Sequence, residues 1–99
     1  MTSPDLTIER EHGPHSGRYF VRMPDGSEAE MTYRRVGPDT ISIDHTLVPS
    51  QFRGRHIAEK LVLAGITDAR AEGQRIIPRC SYVAVQFRRH PDWSDLLAE

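Results

Sequence analysis

The stretch from residue 48 to residue 58 combines the residue types that bind anions. It contains a proline, two arginines two positions apart and a glycine between them, and it lies directly before a long amphipathic segment. The first amides of a helix have no partner inside the helix and carry partial positive charge. Arg53 and Arg55 add full positive charge at the same place. This arrangement predicts a site for a phosphorylated ligand.

The composition limits the class of protein. A chain of 99 residues is sufficient for one domain, and 37% apolar with 27% charged residues is typical of a soluble, folded domain. The formal net charge of −1 provides no general basic field that would favour nucleic acid. The absence of an apolar run of about 18 residues predicts no membrane span, and the N-terminus lacks a signal-peptide pattern, so the cytoplasm is expected. A single cysteine excludes an internal disulfide, and the isolated His12 and His15 suggest no metal site.

The first half of the chain predicts four strands. Each is an alternating or β-branched and aromatic run that ends at a turn containing glycine or proline. The runs cover residues 6–10, 18–23, 29–36 and 40–48. Short turns between them predict an antiparallel meander. In the fourth strand, the alternation places Ile41, Ile43, His45 and Leu47 on one face.

The second half of the chain begins with a helix. A stripe of small and apolar side chains starts at Ile57, and Gly73 suits the left-handed residue that follows a helix end. Residues 74–78 predict a fifth strand that pairs parallel with the fourth, because a helical crossover separates the two. Two helical segments complete the chain, from Ser81 to about His90 and over residues 91–97. The predicted fold is an α+β domain, residues 1–99, with a mixed sheet.

Four separated stretches of the second half resemble a known family. They are residues 44–49, 52–62, 77–83 and 87–93. In these stretches the chain resembles the GNAT superfamily of acyl-CoA-dependent N-acetyltransferases, and more closely a minimal, single-domain branch of predicted acetyltransferases of about this length. The resemblance implies a minimal GNAT-like fold, acetyl-CoA as the cofactor, and an amine on a small molecule or peptide as the acceptor.

The superfamily signature falls on the stretch that predicts anion binding. It reads Gln or Arg, two residues, Gly, one residue, then Gly or Ala, and Arg53 and Ala58 match its two ends. His56 stands where the family normally has glycine. We expect its side chain either to point away, because a residue in the first turn of a helix needs no positive φ, or to donate to a phosphate when protonated.

The resemblance also implies how the coenzyme would lie. The diphosphate would contact the amides of residues 55–58, and the pantetheine arm would enter a gap between the fourth and fifth strands. Backbone N–H groups at the end of the fourth strand could bind the arm and polarise the acetyl carbonyl. The implied coenzyme-binding residues are Leu47, Val48, Arg53, Gly54, Arg55, His56, Ile57 and Ala58.

Cys80, His45 and Tyr82 are the candidates for the transfer itself. A thiol at a helix start has a lowered pKa, and the adjacent Arg79 is expected to lower it further. The resemblance places Cys80 near the coenzyme sulfur. Cys80 could accept the acetyl group, so that transfer passes through the enzyme, or it could line the acyl pocket as a small hydrophobe. Direct transfer needs a base, for which His45 is the candidate, and an acid, for which Tyr82 or Cys80 is the candidate. His45 could equally be a histidine packed on an apolar face.

Two other classes of function fit the sequence. A module that binds CoA or acyl-CoA without turnover would agree with the small size and with His56 in place of glycine. A small protein-interaction domain could use residues 92–97, which contain a tryptophan and two leucines. The sequence carries no signal that sets the oligomeric state.

Overall fold

The computed structural model describes residues 7–98, so Leu6 of the predicted first strand lies outside the described residues. In this range the elements are β1 Glu9–His12, β2 Ser16–Arg22, β3 Glu28–Gly37, β4 Thr40–Leu47, a 3₁₀ turn at Ser50–Phe52, α1 Ile57–Glu72, β5 Arg75–Pro78, α2 Ser81–Arg89 and a 3₁₀ segment at Pro91–Leu96. The last segment was predicted as a helix and is a 3₁₀ helix. None of the helices in the described part of the chain has the length and hydrophobicity that a membrane crossing requires.

The five strands form one mixed sheet in the order β1-β2-β3-β4-β5. The first four strands pair antiparallel in sequence order, and β4 pairs parallel with β5. The predicted α+β fold and its strand order are confirmed. The parallel ladder runs from Thr40 opposite Arg75 to Ile43 opposite Pro78 and ends there. Because proline has no N–H to donate, Pro78 is suited to the last position of the ladder.

One face of the sheet packs against both helices and forms the core. The predicted apolar stripe of α1 is buried except for Ala58, which is half-buried, and Gly73 ends the helix with φ 67° as expected. The 3₁₀ segment at the C-terminus adds Trp93 and Leu96 to the same core. The largest fully buried side chains are Tyr33, Met31, Ile43, Ile57, Leu61, Ile76, Val21, Val62 and Val83.

A bulge interrupts β4 at Asp44. Tyr33 of β3 pairs with Ile43, but the preceding residue, Thr32, pairs with His45, so that Asp44 is an extra residue on β4. A strand with an extra residue changes the face on which its later side chains lie. The bulge therefore divides β4 into two halves of opposite orientation.

The single face predicted for β4 is wrong beyond the bulge. Ile41 and Ile43 are buried in the core, as expected, but His45 and Leu47 are exposed. Thr46 takes the core-facing position, since it pairs with the buried Met31. Strict alternation assumes an uninterrupted pleat, and the extra residue breaks that assumption.

Gly17 of β2 has no side chain, and this leaves room for the hydroxyl of Tyr33. That hydroxyl oxygen lies 3.0 Å from Arg10 Nε and 2.7 Å from His12 Nδ1. A Cβ at Gly17 would clash with this hydroxyl, whereas a Cβ at Gly37 has no heavy atom nearer than 3.7 Å. Gly17→Ala is therefore expected to lower the free energy of unfolding by about 1–3 kcal/mol in urea denaturation. Gly37→Ala is the control, and equal stabilities of the two variants would contradict the prediction.

Candidate active site

A groove of about 480 Å³ lies beside the end of β4, beyond its last pair with β5. It contains every predicted coenzyme-binding residue except Arg55, together with the predicted acid Tyr82. The lining residues are Thr46, Leu47, Val48, Phe52, Arg53, Gly54, His56, Ile57, Ala58, Glu59 and Tyr82. The groove thus brings the end of β4, the start of α1 and the first turn of α2 together around one space.

The bulge in β4 fixes the position of Cys80. The carbonyl oxygen of Ile43 accepts hydrogen bonds from the amides of both Arg79 and Cys80, each at 3.0 Å. These bonds hold the start of α2 at the point where β4 and β5 separate. Cys80 is the N-cap residue of α2, and its Sγ lies 3.5 Å from Oγ1 of Thr46, which lines the groove.

The thiol of Cys80 is activated by its surroundings. Its half-buried position alone would raise the pKa of the thiol. The hydrogen bond with the Thr46 side chain, together with the nearby amides of Val83 and Tyr82, outweighs burial and holds the pKa below its ordinary value. These amides belong to the first turn of α2, where a thiolate is stabilised. The lowered pKa predicted for Cys80 is confirmed in direction, but its main cause is the Thr46 side chain, and Arg79 is not among the main causes.

The start of α1 offers amides without helical partners. Lys60 is the first residue of α1 whose amide bonds within the helix, to the carbonyl oxygen of His56 at 3.2 Å. The amides of Ile57, Ala58 and Glu59 therefore have no acceptor in the helix, and no side chain in residues 7–98 caps this end. Three free donors with the positive end of the helix dipole fit a diphosphate.

The backbone of His56 differs from the prediction. His56 is the N-cap residue of α1 and has φ 62°, in the left-handed region, whereas we expected a residue of the first turn that needs no positive φ. Among the described residues it is the only non-glycine residue with positive φ. Glycine is the residue that adopts this conformation without strain, which explains physically why the family normally has glycine there.

Replacing His56 with glycine is expected to raise the free energy of unfolding by about 0.5–1 kcal/mol. The left-handed conformation costs a non-glycine residue about 1–2 kcal/mol, and the greater backbone entropy of unfolded glycine offsets part of that gain. Arg55→Gly carries the same entropic cost without relief of a positive φ and is the matched control. Urea denaturation should show a gain for His56→Gly and a loss for Arg55→Gly; a loss in both variants would contradict the prediction.

The two predicted phosphate-binding arginines differ in their position relative to the groove. Arg53 lines the groove, and its Nε donates to the carbonyl oxygen of Val48 at 3.4 Å. Arg55 lies outside the lining, with its guanidinium 5.6 Å from the centre of the Phe52 ring. Arg53 is therefore the arginine that the structure brings to the groove.

Glu59 and the side chain of Thr46 are parts of the groove that the sequence reasoning did not assign to the site; for Thr46 it considered only the backbone. Nδ1 of His56 lies 3.3 Å from Oε1 of Glu59, three residues later in α1. A glutamate at this distance from an N-cap residue is the spacing of a capping box, which is the signal that could have identified it. Thr46 had no comparable local signal, because its partner Cys80 is 34 residues away in the chain.

Tyr82 presents a protonated phenol to the groove. Burial raises the pKa of its hydroxyl, and the negative charge of Glu59 raises it further, whereas Arg89 lowers it. The net shift is upward, so the phenol stays neutral throughout the physiological range. Tyr82 can therefore donate a hydrogen bond to a developing negative charge.

His45 lies on the opposite side of the sheet from its neighbour Thr46, and the bulge is what places it on the outer face. It is exposed and lines a second cavity of about 830 Å³ on the outer face, together with Thr32, Arg34 and Asp44. The structure thus places Tyr82 in the groove and Cys80 next to the groove, in contact with Thr46. His45 lies outside the groove. The role of His45 as a base stays a prediction. In residues 7–98, no three His, Cys, Asp or Glu side chains come together as a metal site.

Comparisons with known proteins agree with this geometry. A family model described as GCN5-related N-acetyl-transferase matches residues 18–96. Protein NATD1 of Xenopus tropicalis is 30% identical over 89 residues, covering 89% of this chain and 82% of the relative. Protein NATD1 of Danio rerio is 30% identical over 83 residues, covering 82% of this chain and 74% of the relative.

A solved structure shares the fold. The solution structure of a GCN5-like protein from Staphylococcus aureus aligns with a TM-score of 0.73 and 27% identity, covering 97% of this chain and 91% of that protein. The family and the fold support a general role in N-acetyl transfer. The chain belongs to the GCN5-related N-acetyltransferase family.

Proposed function

We propose that this protein is an acetyl-CoA-dependent N-acetyltransferase whose coenzyme lies in the groove between β4, α1 and α2. One observation carries the proposal: two kinds of group line a single groove. The free amides at the start of α1 and the Arg53 guanidinium lie in one part of it. The Tyr82 phenol and Thr46, whose hydroxyl contacts the Cys80 thiol, lie in another part. An anion site next to a reactive sulfur is the arrangement that a phosphorylated thioester requires.

The start of α1 would hold the diphosphate. The amides of Ile57, Ala58 and Glu59 supply hydrogen-bond donors, and Arg53 supplies positive charge. The pantetheine arm would lie along β4 beyond Ile43, where β5 no longer pairs with the strand. Leu47, which is 57% exposed, offers an apolar surface to the arm.

Cys80 offers one route for the acetyl group. Bound acetyl-CoA supplies that group as an activated thioester. In a thioester exchange, a bond forms between Cys80 Sγ and the acetyl carbon, and the bond from that carbon to the departing sulfur breaks. Tyr82 donates a hydrogen bond to the sulfur that departs. An acceptor amine then takes the acetyl group from Cys80, loses a proton and restores the thiolate.

Direct transfer to the amine is the second route, and it uses different residues. His45 is the predicted base for the amine, and Tyr82 would again face the departing sulfur. The cavity that His45 lines lies across β4 from Thr46, so the structure does not bring His45 to an amine that attacks a thioester in the groove. A module that binds the coenzyme without turnover is the alternative function, and the separation of His45 from Cys80 and Tyr82 favours it.

Calorimetric titration with acetyl-CoA tests the proposal. Wild-type protein is expected to bind, and Arg53→Ala is expected to lose about 1–3 kcal/mol of binding free energy, the range for a hydrogen bond to a charged group. Arg55→Ala is the matched control and should lose less, because Arg55 lies over Phe52 outside the groove lining. No heat and no thermal shift at millimolar acetyl-CoA would reject coenzyme binding.

Turnover distinguishes the enzyme from the binding module. The protein is incubated with acetyl-CoA and a panel of amines and amino-terminal peptides, and the release of free CoA thiol is followed. Acetylated product is expected for at least one acceptor class. Binding without any product or acetylated protein would support the non-catalytic alternative.

A further inference from the structure

We propose that Thr46 is a positioning residue for Cys80: its hydroxyl holds the sulfur at the wall of the groove and donates a hydrogen bond to that sulfur once the thiol has lost its proton. The inference rests on the proposed function and concerns the route in which Cys80 accepts the acetyl group. Its first test uses a reaction of the thiol that needs no coenzyme.

Strand β4 holds Cys80 at two points, one on each side of the bulge. On one side of Asp44, the carbonyl oxygen of Ile43 accepts a hydrogen bond from the amide of Cys80 at 3.0 Å. On the other side, Oγ1 of Thr46 lies 3.5 Å from Cys80 Sγ. The first contact fixes the backbone at the start of α2. The second fixes the sulfur, which would otherwise be distributed over three staggered rotamers.

The bulge determines which side chain of β4 meets the thiol. Because Asp44 is an extra residue, Thr46 takes the core-facing position, and Asp44 and His45 line the cavity on the outer face. With uninterrupted alternation, His45 would share the core face with Ile43, and Thr46 would lie on the outer face. The strand thus presents a hydroxyl to the sulfur rather than an imidazole.

A hydroxyl can serve both protonation states of the thiol. In the structure the thiol of Cys80 donates to Oγ1 of Thr46. A hydroxyl group is both donor and acceptor, so it can rotate and donate to the sulfur when the proton has left. This hydrogen bond is stronger for the charged sulfur. The side chain of Thr46 accordingly makes the largest contribution that lowers the pKa of this thiol.

The other groups near Cys80 leave this role to the threonine. Arg79 precedes Cys80 in the chain but is not among the main influences on the pKa of the thiol. The nearby amides of Tyr82 and Val83 also lower that pKa, but they are main-chain groups and stay in place when a side chain of β4 is replaced. The phenol of Tyr82 stays neutral, and Glu59 of α1 acts on that phenol.

Alkylation of Cys80 by iodoacetamide, followed over a range of pH without coenzyme, is the first test. In Thr46→Val the midpoint of the profile should rise by about one pH unit, as expected for loss of one hydrogen bond to a charged group. The rate on the alkaline plateau should rise about threefold, because a more basic thiolate is the stronger nucleophile. Thr46→Ala removes the same hydroxyl and should shift the midpoint in the same direction, which covers a failure of the valine variant to fold.

Two further variants are the controls. Thr46→Ser keeps the hydroxyl and should keep the midpoint close to that of wild type. Thr32→Val makes the same change at a half-buried threonine of β3 that lines the outer cavity, and it should leave the profile unchanged.

Acetylation of Cys80 by acetyl-CoA, measured by rapid mixing and mass spectrometry without acceptor amine, separates positioning from basicity. Iodoacetamide in solution meets the sulfur in any rotamer, whereas a thioester in the groove meets only the rotamer at the groove wall. On the alkaline plateau, the ratio of the acetylation rate to the alkylation rate should therefore fall about threefold in Thr46→Val.

The outcomes distinguish this inference from the proposed function. An unchanged alkylation profile in both Thr46→Val and Thr46→Ala, or an unchanged ratio of the two rates, would overturn the inference while the proposed function stands. A wild-type protein that is alkylated as expected but binds acetyl-CoA without acetylation of Cys80 would reject the route through the thiol, and with it this role of Thr46. Absence of any acetyl-CoA binding would reject the proposed function itself.

Discussion

Tyr82→Phe is expected to lower kcat for acetyl transfer by about 100-fold, the lower end of the range for loss of an acid–base group, with little change in acetyl-CoA affinity. The variant removes one hydroxyl and keeps the aromatic ring that lines the groove. Burial and Glu59 keep the phenol protonated, so it can donate to the departing sulfur on either route. Steady-state kinetics measures kcat, and calorimetry on the same preparation measures the affinity for acetyl-CoA.

A residue of the same helix provides the control for Tyr82. Ser81 is exposed in the first turn of α2 and lies outside the groove lining, so Ser81→Ala should keep wild-type kcat. Because the pKa of Tyr82 is raised, its deprotonation cannot cause a loss of rate in the neutral range. A kcat of Tyr82→Phe within about threefold of wild type, against the 100-fold expected for an acid, would mean that another donor meets the departing sulfur.

The elements that local periodicity specifies were predictable from the sequence. The stripe of α1 repeats at helical spacing, and Gly73 supplies the left-handed residue that ends it, so both ends of the helix could be located. The lowered pKa of Cys80 was predictable only in part, since the amides of Tyr82 and Val83 are local to the helix start but the larger lowering contribution comes from the Thr46 side chain on β4. The short turns and the helical crossover predicted the order of the strands, and the resemblance to the family agrees with that order.

The bulge at Asp44 was not predictable from alternation. Its position depends on pairing with β3, on the Ile43 carbonyl that binds the start of α2, and on Arg34, whose Nε donates to Asp44 Oδ2 at 2.7 Å. These partners come from other elements, and no window of β4 contains them. The misplacement of His45 follows from this one residue, because every side chain after the bulge changes face.

His56 shows a second limit of predicting backbone conformation from the local sequence. The family signature indicated glycine at this position, which is the signal of a positive φ, but the presence of histidine suggested an ordinary helical residue. The structure keeps the left-handed backbone with the larger side chain and sets it beside Glu59. A departure from the signature therefore changed the chemistry of the site without changing the path of the chain.

Cys80→Ser is expected to lower the rate of acetyl transfer by about 100-fold or more if transfer passes through the thiol, because the serine hydroxyl is a far weaker nucleophile at neutral pH. Acetyl-CoA affinity should stay close to that of wild type, since Cys80 contacts Thr46 but is not among the residues that line the diphosphate and pantetheine part of the groove. Serine is close in size to cysteine, so the packing at the start of α2 is preserved.

A rapid-mixing experiment without acceptor amine separates the two routes. Transfer through Cys80 predicts a burst of one CoA thiol per chain and a mass increase of one acetyl group on Cys80, both absent in Cys80→Ser. Because the pKa of this thiol is lowered, the burst rate should rise with pH and level off at a lower pH than for an ordinary cysteine. Full steady-state activity of Cys80→Ser, with no burst in wild type, would assign the reaction to direct attack by the amine.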